Sequence, residues 1–159
     1  THGAHLFDNM RYLGGEVIGV TTNHALKFNQ HSWHGLLEFD HGGIGNFELT
    51  VKVNSDWSEG YVIHGEHGSV EIKTFLPFYY RPSEVRVFDA HKEEWHTPLC
   101  AHSNPYKRQI EDFAHAVRND VPVNPDAHEG LATLTLIEAV EAASVSGQRQ
   151  EIINLNIAP

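Results

Sequence analysis

Histidine and carboxylate side chains stand close together at the start of the chain, with a spacing that can support acid–base chemistry. His2, His5 and Asp8 follow one another at intervals of three residues, and on a helix His5 and Asp8 project from one side. An imidazole with an ordinary pKa of about 6.5 can accept the hydroxyl proton of an alcohol while a hydride leaves the same carbon. A nearby carboxylate such as Asp8 could orient the ring or raise its basicity. His5 is therefore a candidate general base.

A structural interpretation of the same residues stays open. His5 would then cap the start of a helix, and Asp8 would pair with Arg11 three residues later. Spacing alone favours this interpretation, because pairs at this interval are common on helix surfaces.

Metal binding is the other chemistry that the thirteen histidines suggest. His31 and His34 add a second close pair, but no cysteine cluster and no H-E-x-x-H motif accompanies them. Pairs of this kind arise by chance in a histidine-rich chain, so we predict no metal site. Cys100 is the one cysteine; it excludes an internal disulfide, is expected to be inert, and fits a reducing, cytoplasmic location.

A glycine cluster, Gly42-Gly43-Ile44-Gly45, resembles part of a dinucleotide-binding loop. The fingerprint needs a further glycine three residues after Gly45, where a helix opens, but Glu48 stands there in a strand-like segment. We therefore interpret the cluster as a hairpin turn and predict no site for a dinucleotide in this chain.

Size and charge limit the possible functions. With 159 residues, the chain is expected to form a single domain, 1–159. Its net charge of −10 argues against nucleic acid as a partner. No apolar run is long enough to span a membrane, and no signal peptide is evident. Because it begins at Thr1 and not at a methionine, we expect a fragment or a processed chain.

Strands are expected to fill the first two thirds of the chain. A helix from His5 to Leu13 ends at Gly14-Gly15. The strand candidates that follow are Glu16–Leu26, His34–Asp40, Gly43–Val53, Trp57–His64, Ser69–Phe75, Glu84–Asp89 and Glu94–Leu99, with a last one at Glu151–Leu155. Tight turns at His41–Gly43 and Gly65–Gly68 predict hairpins and so antiparallel pairing.

Two longer helices are expected near the end. Asn104-Pro105 is typical of a helix start, and Asp126 with Glu129 has the spacing of a capping box. Gly147 ends the second helix. Strands in a row with helices at the ends predict an α+β fold, an open and mostly antiparallel sheet with helices covering one face. We expect both long helices to cover a face bearing Phe47, Leu49, Val51 and Val53, which Val70, Ile72, Val85 and Val87 would extend.

Four stretches of the sequence, in order, resemble the Gfo/Idh/MocA family, the relatives of glucose–fructose oxidoreductase and inositol dehydrogenase. They are Gly3-Ala4-His5-Leu6-Phe7-Asp8 with Arg11-Tyr12-Leu13 and Gly15-Glu16; Ile63-x-Gly65-x-x-Gly68-x-Val70-x-Ile72; Tyr106-x-x-Gln109-x-x-x-Phe113; and the stretch from Gly130 through Ala139, Ala142 and Ser144 to Gly147.

This resemblance implies the C-terminal, dihydrodipicolinate-reductase-like domain of a two-domain enzyme. A missing N-terminal Rossmann domain would hold NAD or NADP and supply a lysine, while this domain completes the pocket for a sugar or polyol and forms a homo-oligomer through its sheet face. His5 matches the catalytic histidine, and Asp8 matches the acidic residue one turn later. Thr1 stands where the family often has aspartate, and we expect Thr1, His2 and Asp8 to contact substrate.

Two functions follow as hypotheses. In the first, the intact protein transfers hydride between a sugar or polyol CH–OH and a nicotinamide cofactor, with His5 as proton acceptor, and the isolated chain is inactive. In the second, the chain is a non-catalytic dimerisation or carbohydrate-binding module derived from such an enzyme.

Overall fold

Three helices and eight strands occupy the part of the chain that the computed structural model describes, residues 2–54, 58–75, 81–100 and 103–153, with only the backbone of His2. In order they are α1 (His2–Gly14), β1 (Val17–Lys27), β2 (Gln30–Phe39), β3 (Ile44–Val51), β4 (Ser58–Gly65), β5 (Gly68–Phe75), β6 (Glu84–Asp89), β7 (Glu94–His96), α2 (Pro105–Asn119), α3 (Ala127–Ser146) and β8 (Gln150–Glu151). The predicted α+β class with antiparallel strands is confirmed. Residues 154–155 of the last predicted strand, and Trp57, lie outside the described residues.

Two four-stranded antiparallel sheets are present among the described residues. The first has the order β3-β2-β1-β8, and the second the order β4-β5-β6-β7. Each belongs to a separate compact unit: unit 1 combines 1–54 with 124–159, and unit 2 covers 55–123. Nothing in the sequence pattern had indicated this division.

The core of unit 1 lies between one face of its sheet and the helices α1 and α3. Val20 and Leu37 are register partners on β1 and β2 and are fully buried. Leu136 of α3 packs into the same cluster, and the ring of Phe7 on α1 meets Phe47 of β3 edge-on at 5.0 Å between centroids. Burying these side chains is the main free-energy source for holding α1 against the sheet.

The residues predicted to end and begin elements do so. Gly15 ends α1 with a φ of 98°, a conformation that costs glycine little. Asn104 caps α2 by accepting a hydrogen bond from the backbone N–H of Lys107. Asp126 caps α3 in the same way, through the N–H groups of His128 and Glu129. Gly147 closes α3 in the left-handed region.

Two predictions about packing are wrong. The helix α2 belongs to unit 2, whereas the first sheet belongs to unit 1, and Ile110 and Phe113 of its apolar stripe are 69% and 61% exposed. The face that carries Phe47 is covered instead by α1 and α3, because α1 presents its own apolar residues to β3. The four residues expected to extend this face belong to the second sheet, where they are half-buried: Val70, Ile72, Val85 and Val87.

Candidate active site

His5 lies on the exposed side of α1, three residues after the helix begins. This exposure is compatible with the role of His5 as candidate general base. Its position inside the helix excludes the alternative that it caps the helix start. Because the imidazole of His5 is solvent-accessible and does not pack in the core, a ligand can reach it. Thr1 and the side chain of His2 lie outside the described residues.

The inner side of the same helix turn lies directly on the sheet. A side-chain carbon at Gly3 would come within 3.2 Å of Leu49 on β3, and one turn later Phe7 packs on Phe47. The first turn of α1 therefore sits at the level of Leu49, and this positions the backbone on which His5 is carried.

Asp8 is held by α3. The hydroxyl of Thr133 donates to Asp8 Oδ1 at 3.0 Å and accepts from Arg11 Nη1 at 3.1 Å. Thr133 is buried and Asp8 is half-buried. Asp8 thus faces a structural partner on α3 through this oxygen, and the ion pair between Asp8 and Arg11 considered from the sequence is replaced by a bridge through Thr133.

The buried side chain of Arg11 forms the centre of an ionic cluster whose two carboxylates are partly exposed. Its Nη2 lies 2.8 Å from Glu16 and 3.0 Å from Glu129, and its Nη1 also donates to the backbone carbonyl of Glu129 at 3.2 Å. Burial acts to lower the pKa of Arg11, but the hydrogen bonds and charges of the two carboxylates outweigh it and raise the pKa further. The guanidinium therefore stays charged and joins α1, the start of β1 and α3.

Only one half of the predicted capping box between Asp126 and Glu129 forms, because Glu129 belongs to this ionic cluster. Asp126 accepts from the backbone N–H of Glu129, but the Glu129 carboxylate binds Arg11. A cavity of about 210 Å³ opens beside these groups, lined by Arg11, Glu16, His128, Glu129, Leu131, Ala132 and Thr135. Neither His5 nor Asp8 lines it.

Three aromatic rings on β1 and β2 form a feature that sequence reasoning missed. Trp33 is the register partner of both His24 and Leu49, so all three share one sheet face. The planes of Trp33 and His24 differ by 19°, with centroids 4.6 Å apart. His31 lies 5.5 Å from Trp33 at 13°. The sequence pattern predicts a first strand that ends at Leu26 and a second strand that begins at His34, so it does not indicate this end of the hairpin.

The two histidines of this group are joined to each other. His24 Nε2 lies 3.1 Å from His31 Nδ1, while the ring centroids are 5.2 Å apart and the planes differ by 12°. The ring planes are nearly parallel, and the two nitrogens are closer to each other than the two ring centroids are. The imidazoles therefore meet edge to edge. We call this pair with the parallel indole of Trp33 the aromatic plate.

The other histidine and cysteine residues considered as metal ligands or nucleophiles do not lie together with this group. His34 points to the other face of the sheet, where it lies 3.3 Å from Glu48. Within residues 2–54, 58–75, 81–100 and 103–153, no group of three or more His, Cys, Asp or Glu side chains could hold a metal ion. Cys100 is exposed. Among the described helices, none is long and apolar enough to cross a membrane.

A family comparison decides the classification. The profile described as "Oxidoreductase family, C-terminal alpha/beta domain" matches residues 1–152, nearly the whole chain. The chain belongs to the Gfo/Idh/MocA oxidoreductase family. The resemblance found in the sequence is thus confirmed, including its restriction to the C-terminal domain. No curated protein matches the chain.

Solved structures share the fold of this Gfo/Idh/MocA C-terminal domain. Aldose-aldose oxidoreductase from Caulobacter crescentus, complexed with glycerol, superposes with a TM-score of 0.79 at 20% identity, covering 94% of this chain and 45% of that one. Levoglucosan dehydrogenase, in complex with NADH and L-sorbose, gives 0.81 at 17% identity, over 96% and 50%. An Agrobacterium radiobacter oxidoreductase in complex with NAD+, L-tartaric acid and magnesium gives 0.74 at 16% identity, over 96% and 48%. The chain spans about half the length of these proteins.

Proposed function

We propose that this Gfo/Idh/MocA chain is the single substrate-binding and oligomerisation domain of an NAD(P)-dependent oxidoreductase that acts on a sugar or polyol CH–OH group. The observation that carries the proposal is the exposed His5 on α1, inside the segment that matches the family. The presence of sugar enzymes among the structural relatives supports the substrate class.

The glycine cluster Gly42–Gly45 lacks the local structure that holds a dinucleotide. A nucleotide pyrophosphate is ordinarily held where a glycine-rich turn opens a helix, but Gly42–Gly45 leads into β3. We therefore assign NAD or NADP to a Rossmann domain in the intact protein, where it would supply the hydride acceptor. The isolated chain is expected to be inactive.

The role of this chain is to hold the alcohol and move its proton. A hydroxyl near His5 can pass its proton to a ring nitrogen of the neutral imidazole, leaving the oxygen to form the carbonyl as hydride departs from carbon. The solvent-exposed position of His5 lets the imidazolium release that proton to water afterwards. The reverse transfer protonates the alcohol when a carbonyl compound is reduced.

Substrate contacts are assigned to the neighbours of His5: Thr1, His2 and Asp8. Thr1 can hydrogen-bond a hydroxyl but carries no charge. Asp8 already accepts a hydrogen bond from Thr133 through one oxygen, so we expect it to contribute through a fixed orientation and its negative charge.

A non-catalytic carbohydrate-binding or dimerisation module is the second candidate. It is favoured by the contact between Thr133 and Asp8, because that oxygen of Asp8 is bound to α3 and does not orient the ring of His5. Both candidates include pairing of two copies through the open face of the first sheet, which no described helix of unit 1 covers.

The deciding experiment starts from the gene. The reading frame upstream of Thr1 should encode a strand, a G-x-G-x-x-G turn and a helix, followed by a lysine-bearing loop. The protein extended in this way is then assayed for NAD(P)-dependent oxidation of sugars and polyols, alongside His5→Ala and a control, His64→Ala, in which an exposed histidine of β4 that contacts Ser69 is removed.

We expect His5→Ala to lower kcat by about 10² to 10⁴ with much less change in KM, while His64→Ala keeps wild-type kinetics. Unchanged turnover of His5→Ala on an accepted substrate would remove His5 from the mechanism. Absence of a nucleotide-binding unit and of activity would favour the binding module.

A further inference from the structure

Phe28, at the tip of the β1–β2 hairpin, is a large apolar side chain in an unfavourable position. Its side chain is 84% exposed, and its backbone φ is 53°, in the left-handed region that bulky residues rarely adopt. Asn29 follows with a φ of 61°, and Lys27 pairs directly with Gln30, so this is a two-residue turn in which asparagine, aspartate and glycine are preferred. Neither exposure nor conformation favours phenylalanine here, and strain of this kind is often found where a protein binds something.

The hairpin tip is braced and positively charged. Lys27 Nζ lies 5.4 Å from the centre of the Phe28 ring, and Lys52 donates from Nζ to Asn29 Oδ1 at 3.4 Å. Behind the tip, the stacked rings of the aromatic plate connect the two strands. Residues 17–37, which include the hairpin, contain no aspartate or glutamate, although the whole chain has a net charge of −10. An exposed ring flanked by two ammonium groups fits an apolar pocket that carries negative charge.

The cavity at the start of α3 has these properties. It is lined by the apolar side chains of Leu131 and Ala132 and by the carboxylates of Glu16 and Glu129, whose side chains are 43% and 49% exposed. These two carboxylates line the cavity with one guanidinium, so negative charge is in excess when histidine is counted as neutral. A cavity of about 150 Å³ holds a benzene ring, and this one, of about 210 Å³, is large enough for a phenyl group.

The hairpin tip and the cavity lie at opposite ends of β1. Glu16 comes directly before Val17, where the strand begins, and Phe28 directly follows Lys27, where the strand ends. A strand of 11 residues is about 35 Å long, so the tip cannot reach the cavity of its own chain. In two copies that lie side by side and antiparallel, a two-fold axis brings each tip to the other cavity, and both contacts form together.

We infer that the β1–β2 hairpin tip docks into the α3 cavity of a second copy of this chain, with the Phe28 ring against Leu131 and Ala132. Each carboxylate of the cavity holds Arg11 through one oxygen, and a carboxylate has acceptor capacity left for a lysine such as Lys27. An aromatic anchor in a pocket, surrounded by opposite charges, is an arrangement that contributes strongly to many interfaces. The contact does not use the open sheet face, so it is a second interface beside the one proposed there.

The mass of the chain in solution tests this contact. The measurements use the Glu48→Arg chain, because Glu48 lies beside His34 on the open sheet face and its replacement suppresses pairing through that face. At about 50 μM this chain should have a mass near twice 17.9 kDa by light scattering after size exclusion. Adding Phe28→Asn should weaken the association at least about ten-fold.

The melting temperature separates a docking role of Phe28 from a structural one. Asparagine accepts a positive φ more readily than phenylalanine. At about 1 μM, where association contributes little to stability, Phe28→Asn should therefore keep or raise the melting temperature. The matched control is Val145→Asn, which removes an 87% exposed apolar side chain from α3 and should keep the dimer.

A mixing experiment tests whether the tip and the cavity are partners. Ala132→Phe fills the cavity and should weaken association as Phe28→Asn does. A mixture of these two variants offers one intact tip and one intact cavity, so it should associate more strongly than either variant alone. If Ala132→Phe loses its near-UV circular dichroism, Lys27→Glu takes its place as the second variant, because it sets a carboxylate against those of the cavity and should also weaken association.

Three results would each overturn the inference. The first is a Glu48→Arg chain that is monomeric at about 50 μM. The second is a Phe28→Asn chain that dimerises as strongly as its parent, or one that melts at a lower temperature at about 1 μM. The third is a mixture that associates no more strongly than its components or, where Lys27→Glu replaces the cavity variant, unchanged association of Lys27→Glu.

Discussion

The hydroxyl of Thr133 joins Arg11 to Asp8, accepting from the guanidinium at 3.1 Å and donating to the carboxylate at 3.0 Å. Asp8 and Arg11 lie on α1, and Thr133 of α3 is more than a hundred residues away from both along the chain. The bond from Arg11 to Thr133 is buried and the bond from Thr133 to Asp8 is partly buried, and an unmet polar group is costly where water is excluded. The side chain thus couples the helix that carries His5 to the last helix.

Replacing Thr133 by valine tests this coupling. Thr133→Val keeps the shape but leaves the Asp8 oxygen and an Arg11 N–H without their partner, so the free energy of unfolding should fall by about 1–3 kcal/mol. The matched control is Thr135→Val, since Thr135 donates to the carbonyl of Leu131 in its own helix and its loss should cost less. Urea unfolding measures the free energy of unfolding of both variants. Equal destabilisation would contradict the coupling through Thr133.

Replacement by alanine should have opposite effects on stability at two glycines, because their surroundings differ. At Gly35, a side-chain carbon would lie 2.5 Å from the backbone oxygen of Thr21 and would also press on the ring of Phe47, so Gly35→Ala should destabilise unit 1 by about 1–3 kcal/mol. At Gly130, inside α3, a side-chain carbon meets nothing within 4 Å, so Gly130→Ala should stabilise by about 0.5–1 kcal/mol. Thermal unfolding measures both, and a destabilised Gly130→Ala would contradict this description of α3.

The helix ends were predictable from sequence because each depends on a few neighbouring residues. Asn104, Asp126 and Gly147 act on backbone groups within four positions of themselves. The division into two sheets depends on which distant strands pair, and strand periodicity alone does not contain that information. For the same reason the sequence pattern does not show that α2 belongs to the unit of the second sheet.

The candidate site was predicted only where a local motif marked it. His5 stands in a recognisable motif, and its side chain is exposed on α1. Asp8 was assigned a partner three residues away, but its donor is Thr133. The aromatic plate was missed because Lys27-Phe28-Asn29-Gln30 carries only Asn29 as a turn signal, although alternation along β1 and β2 places His24, His31 and Trp33 on one face once that turn is known.

The cap of α3 predicts a pH dependence of stability. The backbone N–H of Glu129, and to a smaller extent that of His128, lowers the pKa of Asp126 below its ordinary value of 3.8, against the effect of desolvation. Since the folded pKa is below the unfolded one, the stabilisation is fully present above about pH 4 and is lost as the pH falls through the folded pKa.

We therefore expect Asp126→Ala to lower the melting temperature at pH 7, and the gap to wild type to narrow below about pH 4. Asp126→Asn is the control, because it keeps the hydrogen-bond acceptor without a titrating charge and should retain most of the stability at pH 7. Thermal scans between pH 2.5 and 7 compare the three proteins. A gap that does not change with pH would contradict the contribution of the Asp126 charge.

Cofactor binding gives a simple negative prediction. Because Gly42–Gly45 forms a turn into β3, this chain should not bind NADH or NADPH with useful affinity. Isothermal titration of the chain tests this; a dissociation constant below about 100 μM would require roughly 5.5 kcal/mol from a nucleotide site, and would contradict the assignment of the cofactor to another domain.

Assembly through the open face of the first sheet is the last prediction. This face carries the pair of His34 with Glu48 and the pair of Glu38 with Arg149, whose carboxylate-to-guanidinium distance is 2.6 Å. Ile44, 73% exposed, adds an apolar contact surface. Interfaces need be no more apolar than the remaining surface, and two-fold symmetry lets one mixed-charge patch serve both partners.

The chain should therefore form a dimer or tetramer at about 10 μM and moderate salt. Glu48→Arg breaks the contact with His34 and places a cation in the centre of the patch, so it should shift the oligomer toward the 17.9 kDa monomer. Glu66→Arg makes the same change of charge in the exposed β4–β5 turn and should leave the mass unchanged. Light scattering after size exclusion measures all three proteins. A wild-type mass at the monomer value, or equal dissociation by the two variants, would exclude this face as the interface.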